Sequence, residues 1–136
     1  MIRRLIQGLM AVALVTGGVA VATASPALAE SQCNTSARVH ACINWGAQAD
    51  HLQLWLNLTT PPDASVHHFG VILELDGKLT QEGSGAFTTA KNYGPWKQWL
   101  NGMPDREHTA RTIIYVYTST GFLHMTVKSP PVKFWA

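Results

Sequence analysis

Charge is scarce in this chain. Only eight of its 136 residues are Asp or Glu, and ten are Lys or Arg. Scattered acids leave little material for the paired carboxylates that glycoside hydrolysis requires. Scattered bases exclude the dense cationic surface with which a protein displaces counterions from phosphates, so nucleic acid is not an expected partner. Cysteine is scarcer still, with Cys33 and Cys42 alone. They lack the C-x-x-C spacing, and no second pair completes a structural zinc site, so no metal or other cofactor is expected. G-x-S-x-G, H-E-x-x-H, P-loop and calcium-loop patterns are all missing. The chain shows no internal repeat, and outside its N-terminal segment no low-complexity tract.

What is present begins with an export signal. Met1-Ile2-Arg3-Arg4 is a cationic start, Leu5 to Ala24 an apolar stretch, and Ser25-Pro26-Ala27-Leu28-Ala29 a helix-breaking, small-residue cleavage site. That order of regions predicts a leader over residues 1–29 and a secreted domain over 30–136. Leu5 to Ala24 approaches the roughly 20 residues that span a bilayer. The cleavage site nevertheless predicts no stable membrane span afterwards. The paired arginines raise the twin-arginine route; their surroundings fit the general secretory route better. The alanine-rich leader has a bacterial look. Loss of Arg3 and Arg4 leaves eight basic residues against eight acids, so the exported domain is formally neutral. In an oxidising compartment Cys33 and Cys42 are expected to pair. The loop they close is short, which puts the gain at the low end of about 2–4 kcal/mol.

The rest reads as short strands between turn signals. In His51 to Leu58, Leu52, Leu54, Leu56 and Leu58 share one face while Gln53, Trp55 and Asn57 share the other, the period of a half-buried strand. His67 to Leu75 reads similarly, with Phe69, Val71, Leu73 and Leu75 on one face, and Val39 to Trp45 is a short apolar-rich run holding Cys42. Asp76-Gly77 suits a tight turn into Lys78-Leu79-Thr80. Thr60 to Ser65, with two prolines, is a loop. Gln81 to Thr89, rich in Gly, Ser and Thr, also reads as an exposed loop. Lys91 to Pro104 is irregular, with one helical turn expected over Pro95 to Leu100. Thr109 to Thr118 and Phe122 to Lys128 form a hairpin around Ser119-Thr120-Gly121, and Val132 to Trp135 follows Pro130-Pro131 as an edge segment.

This pattern predicts an all-β chain, specifically a small antiparallel β-sandwich, with a partly closed β-barrel as the alternative. The layout resembles an immunoglobulin-like secreted domain in general style. Cys33 and Cys42, however, stand too close in sequence to be that family's inter-sheet bridge.

Catalytic constellations are hard to assemble. Glu74 and Asp76 share a strand face but flank a turn, where solvated acids are ordinary. Among six histidines, His67-His68 is the only adjacent pair, and strand alternation predicts that its rings point to opposite faces and cannot chelate together without a bulge. The aromatics are more informative. Trp55 is out of phase with its leucines, and Tyr93, Trp96 and Trp99 cluster among Asn92, Lys97, Gln98 and Asn101. Flat rings rimmed by amides suit sugars and equally suit protein surfaces, while a bland role as a lid on the core weighs against Trp96 and Trp99 as ligand groups. Asn34-Thr35-Ser36 and Asn57-Leu58-Thr59 match the glycosylation acceptor pattern.

The leading expectation is a non-enzymatic, extracellular or surface-associated binding module. Its ligand-binding candidates are Trp55, Tyr93, Trp96 and Trp99, and extracellular or cell-wall polysaccharide is the first ligand considered. A proteinaceous inhibitor of an extracellular hydrolase is the rival, using Thr59 to Ser65 or Gln81 to Asn92 as its rigid loop. A small hydrolase needs Glu74, Asp76 or Glu82 to converge with a histidine. An envelope component would self-associate, for example through Val132 to Trp135.

Overall fold

A computed structural model describes residues 29–35, 38–46 and 50–135. The leader expected over residues 1–29 lies almost wholly outside the described residues. The chain divides into two units, Met1–Glu30 with Gly46–Gln48, and Ser31–Trp45 with Ala49–Ala136. The architecture below is that of the second.

Nine strands and no helix are present among the described residues: β1 (Ala29–Cys33), β2 (Val39–Gly46), β3 (His51–Leu58), β4 (His68–Leu75), β5 (Lys78–Ala86), β6 (Asn92–Trp99), β7 (Glu107–Tyr117), β8 (Leu123–Lys128) and β9 (Val132–Trp135). They form two antiparallel sheets that pack face to face as a β-sandwich, not a closed barrel. One sheet has the order β1-β2-β3-β6. The other has the order β5-β4-β7-β8, with β9 also paired to β7. β8 pairs with Ile113 to Tyr117 and β9 with Glu107 to Ala110, so the two short strands share one side of β7. Ser129-Pro130-Pro131 separates them, since proline cannot donate to a ladder.

The alternation in β3 determines which side faces the core. Leu52, Leu54 and Leu56 are fully buried and Leu58 nearly so, while His51, Gln53, Trp55 and Asn57 are half-buried on the opposite side. Val39, Ala41 and Ile43 of β2 join the leucines. Val71 and Leu73 of β4 with Ala110, Ile114 and Val116 of β7 face them from the second sheet. One polar bond crosses this core: the buried Thr112 hydroxyl donates to the Cys42 carbonyl at 2.7 Å. The cysteines are bridged between the neighbouring strands β1 and β2.

Aromatic groups finish each end of the core. Toward one end Trp45, Phe134 and His108 stack, with centroid separations of 5.6 and 5.5 Å. Toward the other, Phe69 gathers Phe87, Tyr93 and Trp96 at 4.9, 5.4 and 5.9 Å.

Two expectations are corrected. Gln81 to Ala86 is not a loop but the continuation of β5. Its glycines are there for space: a β-carbon on Gly83 would fall 2.2 Å from Trp96 Nε1, and one on Gly85 2.9 Å from Phe69 Cζ. Glycine inside a strand marks such a close approach. The expected helical turn over Pro95 to Leu100 is likewise strand, within β6. Pro95 is tolerated because β6 is an edge strand and its register against β3 shifts between Leu54 and Leu56. Asp76 and Gly77 do form the expected tight turn, with φ of 53° and 84°.

Candidate functional site

The register between β3 and β6 sorts the four candidate aromatics into two pairs. Tyr93 stands opposite Leu56 and Trp96 opposite Leu54, so both share the leucine side. Trp99 stands opposite His51 and shares the outer side with Trp55.

Tyr93 and Trp96 close the flank between β5 and β6. Trp96 lies over Gly83. The Tyr93 hydroxyl accepts from the N–H groups of Thr88 (2.9 Å) and Thr89 (3.1 Å) and donates to the Thr89 carbonyl (2.6 Å). Burial resists ionisation of this phenol, but the Thr88 and Thr89 donors outweigh it and hold the group below its ordinary range.

Trp55 and Trp99 belong to a different surface. The outer side of β3 carries His51, Gln53, Trp55 and Asn57; of these, Gln53, Trp55 and Asn57 pair with Asn44, Cys42 and His40 of β2 on one flank. On the other flank His51, Gln53 and Asn57 pair with Trp99, Lys97 and Asn92 of β6. At the register shift, Gly94 and Pro95 leave an open depression of about 230 Å³ lined by Gln53, Trp55, Asn92, Tyr93, Gly94 and Pro95. Trp55 is half-buried there, whereas Trp99 is 52% exposed.

A polar network stiffens the Trp99 end. His51 Nδ1 donates to Asp50 Oδ1 (3.1 Å), Gln53 Nε2 lies 3.2 Å from His51 Nε2, and the His51 ring meets Trp99 at 5.0 Å. The hydrogen bond from His51 holds the Asp50 carboxyl below its usual range. Among the described residues, Asn44 keeps its Oδ1 buried with no hydrogen-bond donor, on the same outer side and opposite Gln53. The surface therefore combines two indole rings, a shallow depression and side-chain amides. Its only described carboxylate is Asp50, at one end.

The groups that acid–base chemistry would need are dispersed. Glu74 Oε1 is paired with Arg111 Nε at 2.7 Å. Glu82 lies on β5, where burial pushes its carboxyl up. Asp76 does meet a histidine: its Oδ2 is 2.6 Å from His108 Nδ1. The His108 ring is 1% exposed, and its Nε2 lies 2.9 Å from the Pro104 carbonyl. Both ring nitrogens therefore face oxygen atoms of the protein, and neither is left to serve a substrate. The contact fastens the 100–106 segment to the β4–β5 turn, with Arg106 and the Thr109 N–H on the same carboxylate.

His67 and His68 depart from the expected divergence: their Nδ1 atoms are 2.8 Å apart. Asn34 Oδ1 accepts from the Ala41 N–H at 2.7 Å, and Asn57 lies on the Trp55 face.

Gln53, Asn92, Lys97 and Pro95 join this surface although the sequence reading does not assign them to a site. Gln53 is legible from its phase, opposite to the leucines. Asn92 and Lys97 are not, because Gly94 and Pro95 make β6 read as irregular.

Comparison with known proteins finds no family model, no curated protein and no solved structure that matches the chain.

Proposed function

We propose that the protein is an exported, non-catalytic binding module that holds an extracellular or cell-wall polysaccharide on the outer face of its β1-β2-β3-β6 sheet. The observation that carries this reading is the placement of Trp55 and Trp99 on one face, outside the core, among Gln53, Asn57, Asn92 and Lys97. Indole rings pack against the C–H faces of sugars while amides bond hydroxyls. Trp55 and Trp99 are four residues apart in register, about 13 Å along the strand. That separation suits an extended chain better than a single ring. Export is supported by the leader pattern and by the Cys33–Cys42 bridge, which belongs to oxidising compartments.

The test is retention of the purified protein on insoluble polysaccharides and cell walls. Wild type is expected to be retained saturably, and Trp55→Ala and Trp99→Ala to remain folded and elute early. Absence of retention on every matrix, or full retention of both folded variants, overturns the reading.

Inhibition of an extracellular hydrolase is the second reading, favoured by one feature. The Thr59–Ser65 loop is fastened: Arg38 donates to Thr60, Pro61 and Asp63, and Asp63 Oδ1 accepts from the N–H groups of Ser65 (2.9 Å) and Val66 (3.0 Å). A rigid loop lowers the cost of docking into an enzyme cleft. Inhibition of a panel of secreted hydrolases, lost when Arg38 is changed to Ala, is the expected sign of that function.

A further inference from the structure

The two histidines at the start of β4 lie away from the Trp55 face. Adjacent strand residues point to opposite sides, but His67 precedes the first residue of β4, His68, and so escapes that alternation. The rings approach with centroids 4.3 Å apart and Nδ1 atoms 2.8 Å apart. The backbone beneath them is pinned from both sides. The His67 N–H donates to the Tyr117 carbonyl (3.0 Å), and the His67 carbonyl accepts from the Phe87 N–H (2.9 Å). His68 is held in register between Ala86 of β5 and Tyr117 of β7. His68 is exposed and His67 half-buried.

Two neutral imidazoles whose Nδ1 atoms face each other share a single proton, one ring donating and the other accepting. We propose that His67 and His68 form a two-nitrogen site for a square-planar divalent ion, Cu(II) foremost. Two nitrogens bound at right angles about 2.0 Å from an ion are about 2.8 Å apart, the spacing found here, whereas a tetrahedral ion holds them about 3.3 Å apart. Tetragonal nitrogen and oxygen ligation is the preference of Cu(II), which also heads the affinity order of divalent first-row metals. Among the described residues no carboxylate, cysteine or further histidine joins the pair into a group of three, so water supplies the remaining ligands. On binding, the donor ring moves its proton from Nδ1 to Nε2. Both Nδ1 lone pairs then meet the ion. Because the backbone is already fixed, little ordering is needed to form the site.

The experiment is titration of the purified full chain with copper sulfate, followed by calorimetry and electron paramagnetic resonance. The expected result is one tight Cu(II) per chain whose spectrum shows two nitrogen donors. His67→Gln and His68→Gln are each expected to lose about tenfold or more in affinity, since even outer-shell changes cost that much at metal sites. His124→Gln and His40→Gln are expected to bind as wild type. Unchanged binding in either His67→Gln or His68→Gln, or loss of binding in His124→Gln or His40→Gln, overturns the proposal. A wild-type spectrum with one nitrogen or none overturns it whatever the variants do.

Discussion

Gly83→Ala is the substitution that best separates a core role from a binding role for Trp96. A β-carbon at position 83 would lie 2.2, 2.7 and 2.8 Å from Nε1, Cε2 and Cδ1 of Trp96. Those atoms belong to the body of a rigid ring, not to a flexible tip. The ring also lies 5.9 Å, centroid to centroid, from Phe69. A β-carbon on Gly94 would meet its other edge at 2.8 Å, so the Gly94 backbone packs close to that edge as well. Overpacking of this kind costs about 1–3 kcal/mol. Replacing glycine in a strand returns roughly 0.5–1 kcal/mol by lowering unfolded-state entropy. The net expected loss is about 1–2 kcal/mol, or a fall in Tm of roughly 5–15 °C for a domain of this size. Thermal unfolding of wild type, Gly83→Ala, Trp96→Ala and the double variant forms a cycle that isolates the pair. In the Trp96→Ala background the alanine at 83 is expected to be neutral or mildly stabilising. An equal loss in both backgrounds would refute the reasoning, because the obstacle would then not be the Trp96 ring. No loss in either would mean that β5 and β6 do not meet as described.

Other consequences follow from the core and the charged contacts. Thr112→Val keeps the shape but leaves the Cys42 carbonyl buried without its donor, so chemical denaturation should show a loss of about 1–3 kcal/mol. Leu54→Ala, at a fully buried position in the centre of β3, should cost about 2–5 kcal/mol by the same measurement. Asp76 is held below its usual 3.8 first by the hydrogen bond with His108 and next by the Thr109 N–H. A carboxyl depressed on folding stabilises the native state above its unfolded pKa, and that contribution is lost as pH falls through the folded value. Melting temperature should therefore drop as the pH is lowered below about 4, and Asp76→Asn, which retains the turn's tolerance of positive φ, should flatten that drop. An unchanged acid profile in Asp76→Asn would remove this carboxylate from the account.

The strands that the sequence made plain are those with a single physical signal. The leucines of β3 alternate without interruption, and the apolar run of β7 is bounded by turn residues. β5 and β6 were obscured because two rules compete there. Glycine and proline usually mark loops, and Gln81 to Ala86 and Asn92 to Trp99 contain both Gly83, Gly85, Gly94 and Pro95 and too few branched residues to read as strand. Their compatibility with strand depends on partners distant in sequence: Trp96 fills the space that Gly83 leaves, and the edge position of β6 spares Pro95 a lost ladder bond. Neither fact is visible in a local window. The approach of His67 to His68 is hidden in a similar way, because His67 stands one residue before the strand that imposes alternation.

The same register that hid β6 decides what Trp55 and Trp99 are available to do. A tryptophan contributes to a core only from the side that its neighbours bury. On β3 that side is taken by four leucines, which leaves Trp55 with Gln53 and Asn57. Trp99 is opposite His51, and so it follows the outer row regardless of its own hydrophobicity. Trp96, opposite Leu54, is drawn inward by the same ladder. Three residues of sequence separate a ring that seals the sandwich from one that meets solvent, and the odd spacing between them, 96 to 99, is what a strand requires to send them to opposite faces. The two roles are therefore separable by mutation: Trp96→Ala is expected to act on stability, and Trp99→Ala on retention by polysaccharide with stability nearly unchanged. If Trp99→Ala instead unfolded the protein while Trp96→Ala left it intact, the register of β6 would have to be shifted by one residue, and with it the whole face proposed for binding.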